Sequence, residues 1–125
     1  MEQSTKEVID HTWYMRPVFF VTDIQRAIAF YVGKLGFSKK WHEAEGTGTV
    51  CQVDRGGCEI ILCQDASRGD RGRLFLELSH KAVDQLLKEV KDNSISAQKS
   101  GWGYDVLRIE DPDGNELVVC LENLL

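Results

Sequence analysis

No run of this chain approaches the ~18–20 consecutive apolar residues that a membrane-spanning helix needs. Nor is there an excess of basic charge: 15 Lys and Arg stand against 20 Asp and Glu, a net charge of −5. Neutralising phosphates needs a basic face, so this balance argues against nucleic acid as a partner. A neutral or cationic small molecule suits it better. The first eleven residues, Met1 to His11, are polar and mixed in charge. They lack the apolar stretch of a secretory signal, and a cytoplasmic protein is expected. The four cysteines, Cys51, Cys58, Cys63 and Cys120, form no CxxC pair, and histidine occurs three times, with none beside them. Buried reduced thiols are expected rather than a zinc site.

What remains is an ordinary globular composition. The 125 residues are 42% hydrophobic and 28% charged, which predicts one folded domain over residues 1–125. Arg16 to Val21 is β-branched and aromatic and reads as a strand, with Pro17 at its start. Thr22 and Asp23 offer a helix cap, and Ile24, Ala27, Ile28, Tyr31 and Leu35 then form one apolar helical stripe. Gly36 is placed to end that helix. Extended segments follow over 37–43, 49–53 and 58–63, the last two around the turn Asp54-Arg55-Gly56-Gly57. Residues 64–72 read as a loop.

The order then repeats. Residues 73–79 read as a strand, Ala82, Val83, Leu86, Leu87 and Val90 as a helix face, and 104–109 and 116–121 as strands around the turn Glu110 to Asn115. The offset is roughly 55 residues. This predicts a duplicated βαβββ unit, module one at about 15–66 and module two at about 72–123. Neither half is large enough to build a sufficient core alone. The fold class is therefore α+β: a cupped, mainly antiparallel sheet with helices on its outer face and a concave face left for a ligand.

Two segments carry a resemblance. The first runs from Pro17-Val-Phe-Phe-Val-Thr-Asp-Ile24 through Ala29-Phe-Tyr31 to Lys34-Leu-Gly-Phe37. The second is Trp102-Gly103 with Asp111-Pro-Asp-Gly-Asn115. Together, around the repeat, they resemble the vicinal oxygen chelate superfamily, which contains glyoxalase I, extradiol dioxygenases and the fosfomycin- and bleomycin-resistance proteins, and within it the bleomycin-resistance branch. Matching strand by strand, the resemblance places the metal-ligand positions of the metal-dependent members at Arg16, Ile61, Arg73 and Val118. None is a normal ligand: arginine stays protonated, and isoleucine and valine have no donor atom. No metal or other cofactor is therefore expected.

Side chains alternate along strands, so residues with the parity of Arg16 share its face. The candidate ligand-binding residues are Arg16, Phe20, Glu59, Ile61, Arg73, Phe75, Glu77 and Val118, with Trp41 as a wall. Trp102 and Tyr104 are candidates to stack a flat or cationic group. Plain readings compete: Phe20, Phe75 and Val118 as core, Arg16–Glu77 or Arg73–Glu59 as structural ion pairs, Trp102 as a plug. The resemblance implies a metal-free protein that sequesters an amphipathic or cationic small molecule in a groove between two subunits of a homodimer. The alternative is a metal-dependent lyase, isomerase or dioxygenase using unusual ligands such as Glu59, Glu77 and Glu116.

Overall fold

The computed structural model describes residues 13–122 except 102 and 104. Strand β1 (Val18–Val21) leads into helix α1 (Ile24–Ile28), which widens into a π-helical stretch (Ala29–Lys34). Strands β2 (Ser38–His42), β3 (Val50–Arg55) and β4 (Cys58–Gln64) complete the first module. The second has β5 (Arg73–Leu76), helix α2 (His80–Asp92), β6 (Ala97–Gly101), β7 (Asp105–Glu110) and β8 (Glu116–Cys120). Each module builds a four-stranded sheet, in the order β1-β4-β3-β2 and β5-β8-β7-β6. The outer pairs β1/β4 and β5/β8 are parallel and the remaining pairs antiparallel. The duplicated α+β unit read from the sequence is thus the observed one.

The local causes are visible. The Asp23 carboxylate accepts from the amides of Gln25 and Arg26, satisfying two donors that a helix start leaves unpaired. Ser79 does the same for Ala82 at the start of α2, so the cap is Ser79 and His80 is the first helical residue. The widened end of α1 closes with Leu35 N–H bonded to Phe30 O, and Gly36 then turns the chain at φ +73°, a region that favours glycine.

One face of each sheet packs on helices. Phe19, Val21, Ile60 and Leu62 from the first sheet and Leu107, Ile109, Leu117 and Val119 from the second belong to the same apolar cluster, with Ile24, Tyr31, Leu35 and Leu86 between them. Because both helix-covered faces share that core, the two helix-free faces point away from it. Among the described residues no helix is long and apolar enough to cross a membrane.

Candidate functional site

On the helix-free face of the first sheet, register brings the predicted residues together. Val18 stands opposite Ile61, and Ile61 opposite Gln52. A bulge on β2 puts Trp41, rather than Lys40, opposite Gln52. One extra residue in a strand re-aims the side chains beyond it, and here it brings Trp41 to this face. Gln52 is only 2% exposed. Its Oε1 accepts from Arg16 Nη1 (2.8 Å) and Trp41 Nε1 (3.0 Å), while its Nε2 donates to Asp54 (2.8 Å) and Glu59 (3.1 Å). All four hydrogen-bonding places of the amide are filled. The Tyr14 hydroxyl donates to Glu59, and that bond raises the tyrosine pKa. The Arg16 guanidinium lies 5.0 Å over the Tyr14 ring. Sequence reasoning missed Gln52, although the two-glycine turn at 56–57 implies its place opposite Ile61.

The second sheet carries a matching cluster. Phe75 stands opposite Val118, and Val118 opposite Arg108. Glu116 binds two guanidiniums, Oε1 accepting from Arg73 Nε (2.7 Å) and Oε2 from Arg108 Nη2 (3.1 Å). Val118 is fully buried and Phe75 is 36% exposed. Glu77 falls beyond the end of β5. The plain reading pairs Arg16 with Glu77 or Arg73 with Glu59; in the structure Arg16 donates to Gln52 and Arg73 to Glu116. Phe20 also points to the helix-free face and lies 4.1 Å beneath the guanidinium of Arg68. Trp102 and Tyr104 lie outside the described residues. His42 Nε2 lies 2.9 Å from Gly48 O, and Glu43 accepts from the amides of Thr49 and Val50, so both brace the turn after β2.

A cavity of about 480 Å³ lies on the other side, at the seam of the modules, against Leu35, Phe37, Cys58, Leu78, Leu86 and Leu117. Its walls are mainly apolar, and Arg55, the cation that borders it, already binds Glu89 and Leu35 O. Of the candidate residues, Phe75 and Glu77 also border it; the helix-free faces gather more polar groups around their apolar centres and are the better candidates. Burial beside it pushes the Cys58 thiol from its usual 9.0 up to about 11, helped by Asp54 and Glu59. A pKa raised by folding contributes stability that is complete below the unfolded value and lost as pH rises through the folded one. Stability is therefore expected to fall between about pH 9 and 11, and Cys58→Ala to flatten that fall. Urea unfolding across this range checks it, and an unchanged slope would remove Cys58 as a cause.

The family model described as "Glyoxalase/Bleomycin resistance protein/Dioxygenase superfamily" matches residues 8–119. Solved structures share the architecture. A bleomycin resistance determinant encoded on the transposon Tn5 aligns with a TM-score of 0.71 at 21% identity, covering 91% of this chain and 100% of its own. A bleomycin-binding protein complexed with bleomycin gives 0.69 at 20%, covering 90% and 100%. Lactoylglutathione lyase from Agrobacterium tumefaciens gives 0.66 at 19%, covering 88% and 94%. At these identities the likeness is one of fold. No curated protein matches by sequence.

Proposed function

The chain belongs to the glyoxalase/bleomycin resistance protein/dioxygenase superfamily, and on that footing we propose that it is a metal-free binding protein that sequesters an amphipathic or cationic small molecule. The observation that carries this reading is the make-up of the two helix-free faces. Each has an apolar centre, Val18 against Ile61 or Phe75 against Val118, framed by a few polar groups. That is the composition expected of a small-molecule site. The mechanism is stoichiometric binding, with no bond made or broken.

The residues present do not fit a catalytic metal. Ile61 and Val118 offer no donor atom, and Arg16 and Arg73 no lone pair. Glu59 is held by Gln52 and Tyr14, and Glu116 by two arginines. Among the described residues no three His, Cys, Asp or Glu side chains gather as a metal site would require.

The groove is formed by two copies of the chain. Both helix-free faces point away from the shared core, leaving Val18, Trp41 and Phe75 at 45%, 39% and 36% exposed. A second copy seated there covers them and brings the two kinds of face together.

The test is a titration of the full chain with metal-free bleomycin, read by tryptophan fluorescence, alongside metal analysis and sedimentation. Saturable quenching at micromolar ligand is expected from a dimer holding far less than one metal equivalent. Trp41→Ala should weaken binding by roughly tenfold, the loss of one aromatic contact. One tightly held ion per chain would overturn the metal-free reading, and absence of quenching would remove bleomycin as a ligand.

A further inference from the structure

The two modules repeat one polar pattern on their helix-free faces, and one of the places where they differ is telling. Arg16 lies two residues before Val18, and Glu59 two before Ile61; Arg73 lies two before Phe75, and Glu116 two before Val118. Gln52 faces Ile61 and Arg108 faces Val118, so Gln52 and Arg108 are equivalents. The amide of Gln52 has every place filled within its own module. Arg108 does not. Its Nη2 donates to Glu116, but its Nε–H is buried and meets no acceptor among the described residues. Buried donors are normally paired, so one left over needs a reason. Glu116 meets Arg108 through Nη2 alone, and its other oxygen binds Arg73.

Space exists beside this cluster. A cavity of about 370 Å³ is lined by Arg71, Arg73, Glu110 and Glu116, the last being the residue that holds Arg108. The Arg108 side chain is 30% exposed while its Nε is buried, so a ligand that meets the exposed part reaches this donor only if the side chain turns. We infer that Arg108 anchors a carboxylate at one end of the ligand bound on the second sheet, an inference that rests on the binding function proposed above. A carboxylate accepts charge-assisted hydrogen bonds from a guanidinium. Glu110 and Glu116 on the same face repel a second negative charge, which selects a monocarboxylate over a phosphate dianion. Phe75, exposed on the same face, selects an apolar body behind the acid. Arg108 was not among the sequence candidates.

The experiment uses the full-length, ¹⁵N-labelled protein with benzoate, benzamide and benzylamine as probes. Benzoate is expected to shift the Arg108 Nε–H resonance and slow its exchange with water, and to bind at least tenfold tighter than benzamide. Arg108→Gln, which places at this position the residue module one has there, should weaken benzoate at least tenfold. If that variant fails to fold, the Nε–H response of the wild type decides alone. Equal binding of benzoate and benzamide would overturn the inference, as would a silent Nε–H while neighbouring resonances on that face move. In those cases the binding function stands and only its acidic end falls. If no probe moves any resonance on either helix-free face, both fall together.

Discussion

Replacing Asp111 with alanine is expected to destabilise the protein by about 3–5 kcal/mol, the range for removing one member of a buried, fully bonded polar cluster. Asp111 is 6% exposed. Its Oδ1 accepts from the amides of Asp113 (2.8 Å) and Asn115 (2.9 Å), and its Oδ2 from Asn115 Nδ2 (2.9 Å) and the Tyr31 hydroxyl (3.0 Å). Alanine leaves all four donors without this partner. The same turn ties the modules: Asn115 Nδ2 also reaches Phe20 O, and Asp113 accepts from Thr22 and Arg26. Tyr31→Phe removes one of the four bonds and keeps the ring, which is fully buried edge-to-face against Phe30 and Phe37. That variant should cost only about 1 kcal/mol. Urea unfolding of both variants provides the comparison, and a Tyr31→Phe loss equal to that of Asp111→Ala would contradict this account. Burial raises the Asp111 pKa against the pull of its hydrogen bonds. The proton-linked part of its contribution is therefore complete at low pH and lost as pH rises through the folded value, so Asp111 does not drive acid unfolding.

That cluster also shows what a sequence discloses. Asp111-Pro-Asp-Gly-Asn115 is legible as a turn because its residues suit tight conformations. Its partner Tyr31, 80 positions away, is legible only as one apolar member of a helical stripe. That Arg16 shares a face with Ile61, and Arg73 with Val118, follows from the pleat, since a strand's period of two is insensitive to its exact ends, but that these are faces of two separate sheets does not. Hydrogen-bond partners do not follow, because long side chains choose among several neighbours across a strand. Hence Arg73 finds Glu116 rather than Glu59, and Gln52 and Arg108 emerge as hubs only once β3 and β7 are in register. Strand β6 is the least legible element. Ala97 to Gly101 is small and polar, with no apolar alternation, and its ladder to β7 makes it a strand. The aim of Trp41 depends on a bulge that no alternation rule contains.

Gly72→Ala is expected to cost about 1–3 kcal/mol, and Phe19→Leu to relieve part of that cost. Gly72 immediately precedes β5, its N–H donating to Asn115 Oδ1 (2.7 Å) and its O accepting from Glu116 N–H (2.9 Å). Both bonds fix the backbone. A Cβ there would lie 2.4 Å from two ring atoms of Phe19, a core side chain only 2% exposed. Neither side can retreat cheaply: the ring is packed among the residues of both modules, and the backbone is held by its two bonds. The added methyl must therefore strain one of them, in the manner of an overfilled core. Leucine at position 19 shortens the obstacle. Phe19→Leu alone should cost about 1 kcal/mol, and the double variant should cost about 1 kcal/mol less than the sum of the two single costs, a coupling typical of residues in contact. Gly57→Ala is the control, since nothing lies within 4 Å of a Cβ there, and it should stay within about 0.5 kcal/mol of wild type. Strict additivity of the two seam substitutions would mean that the ring of Phe19 is not what excludes a side chain at Gly72. Under the proposed binding function the seam bears on the site, because Gly72 leads directly into Arg73, and Phe19 sits between Val18 and Phe20. A shift at this contact moves the helix-free face of one module against that of the other.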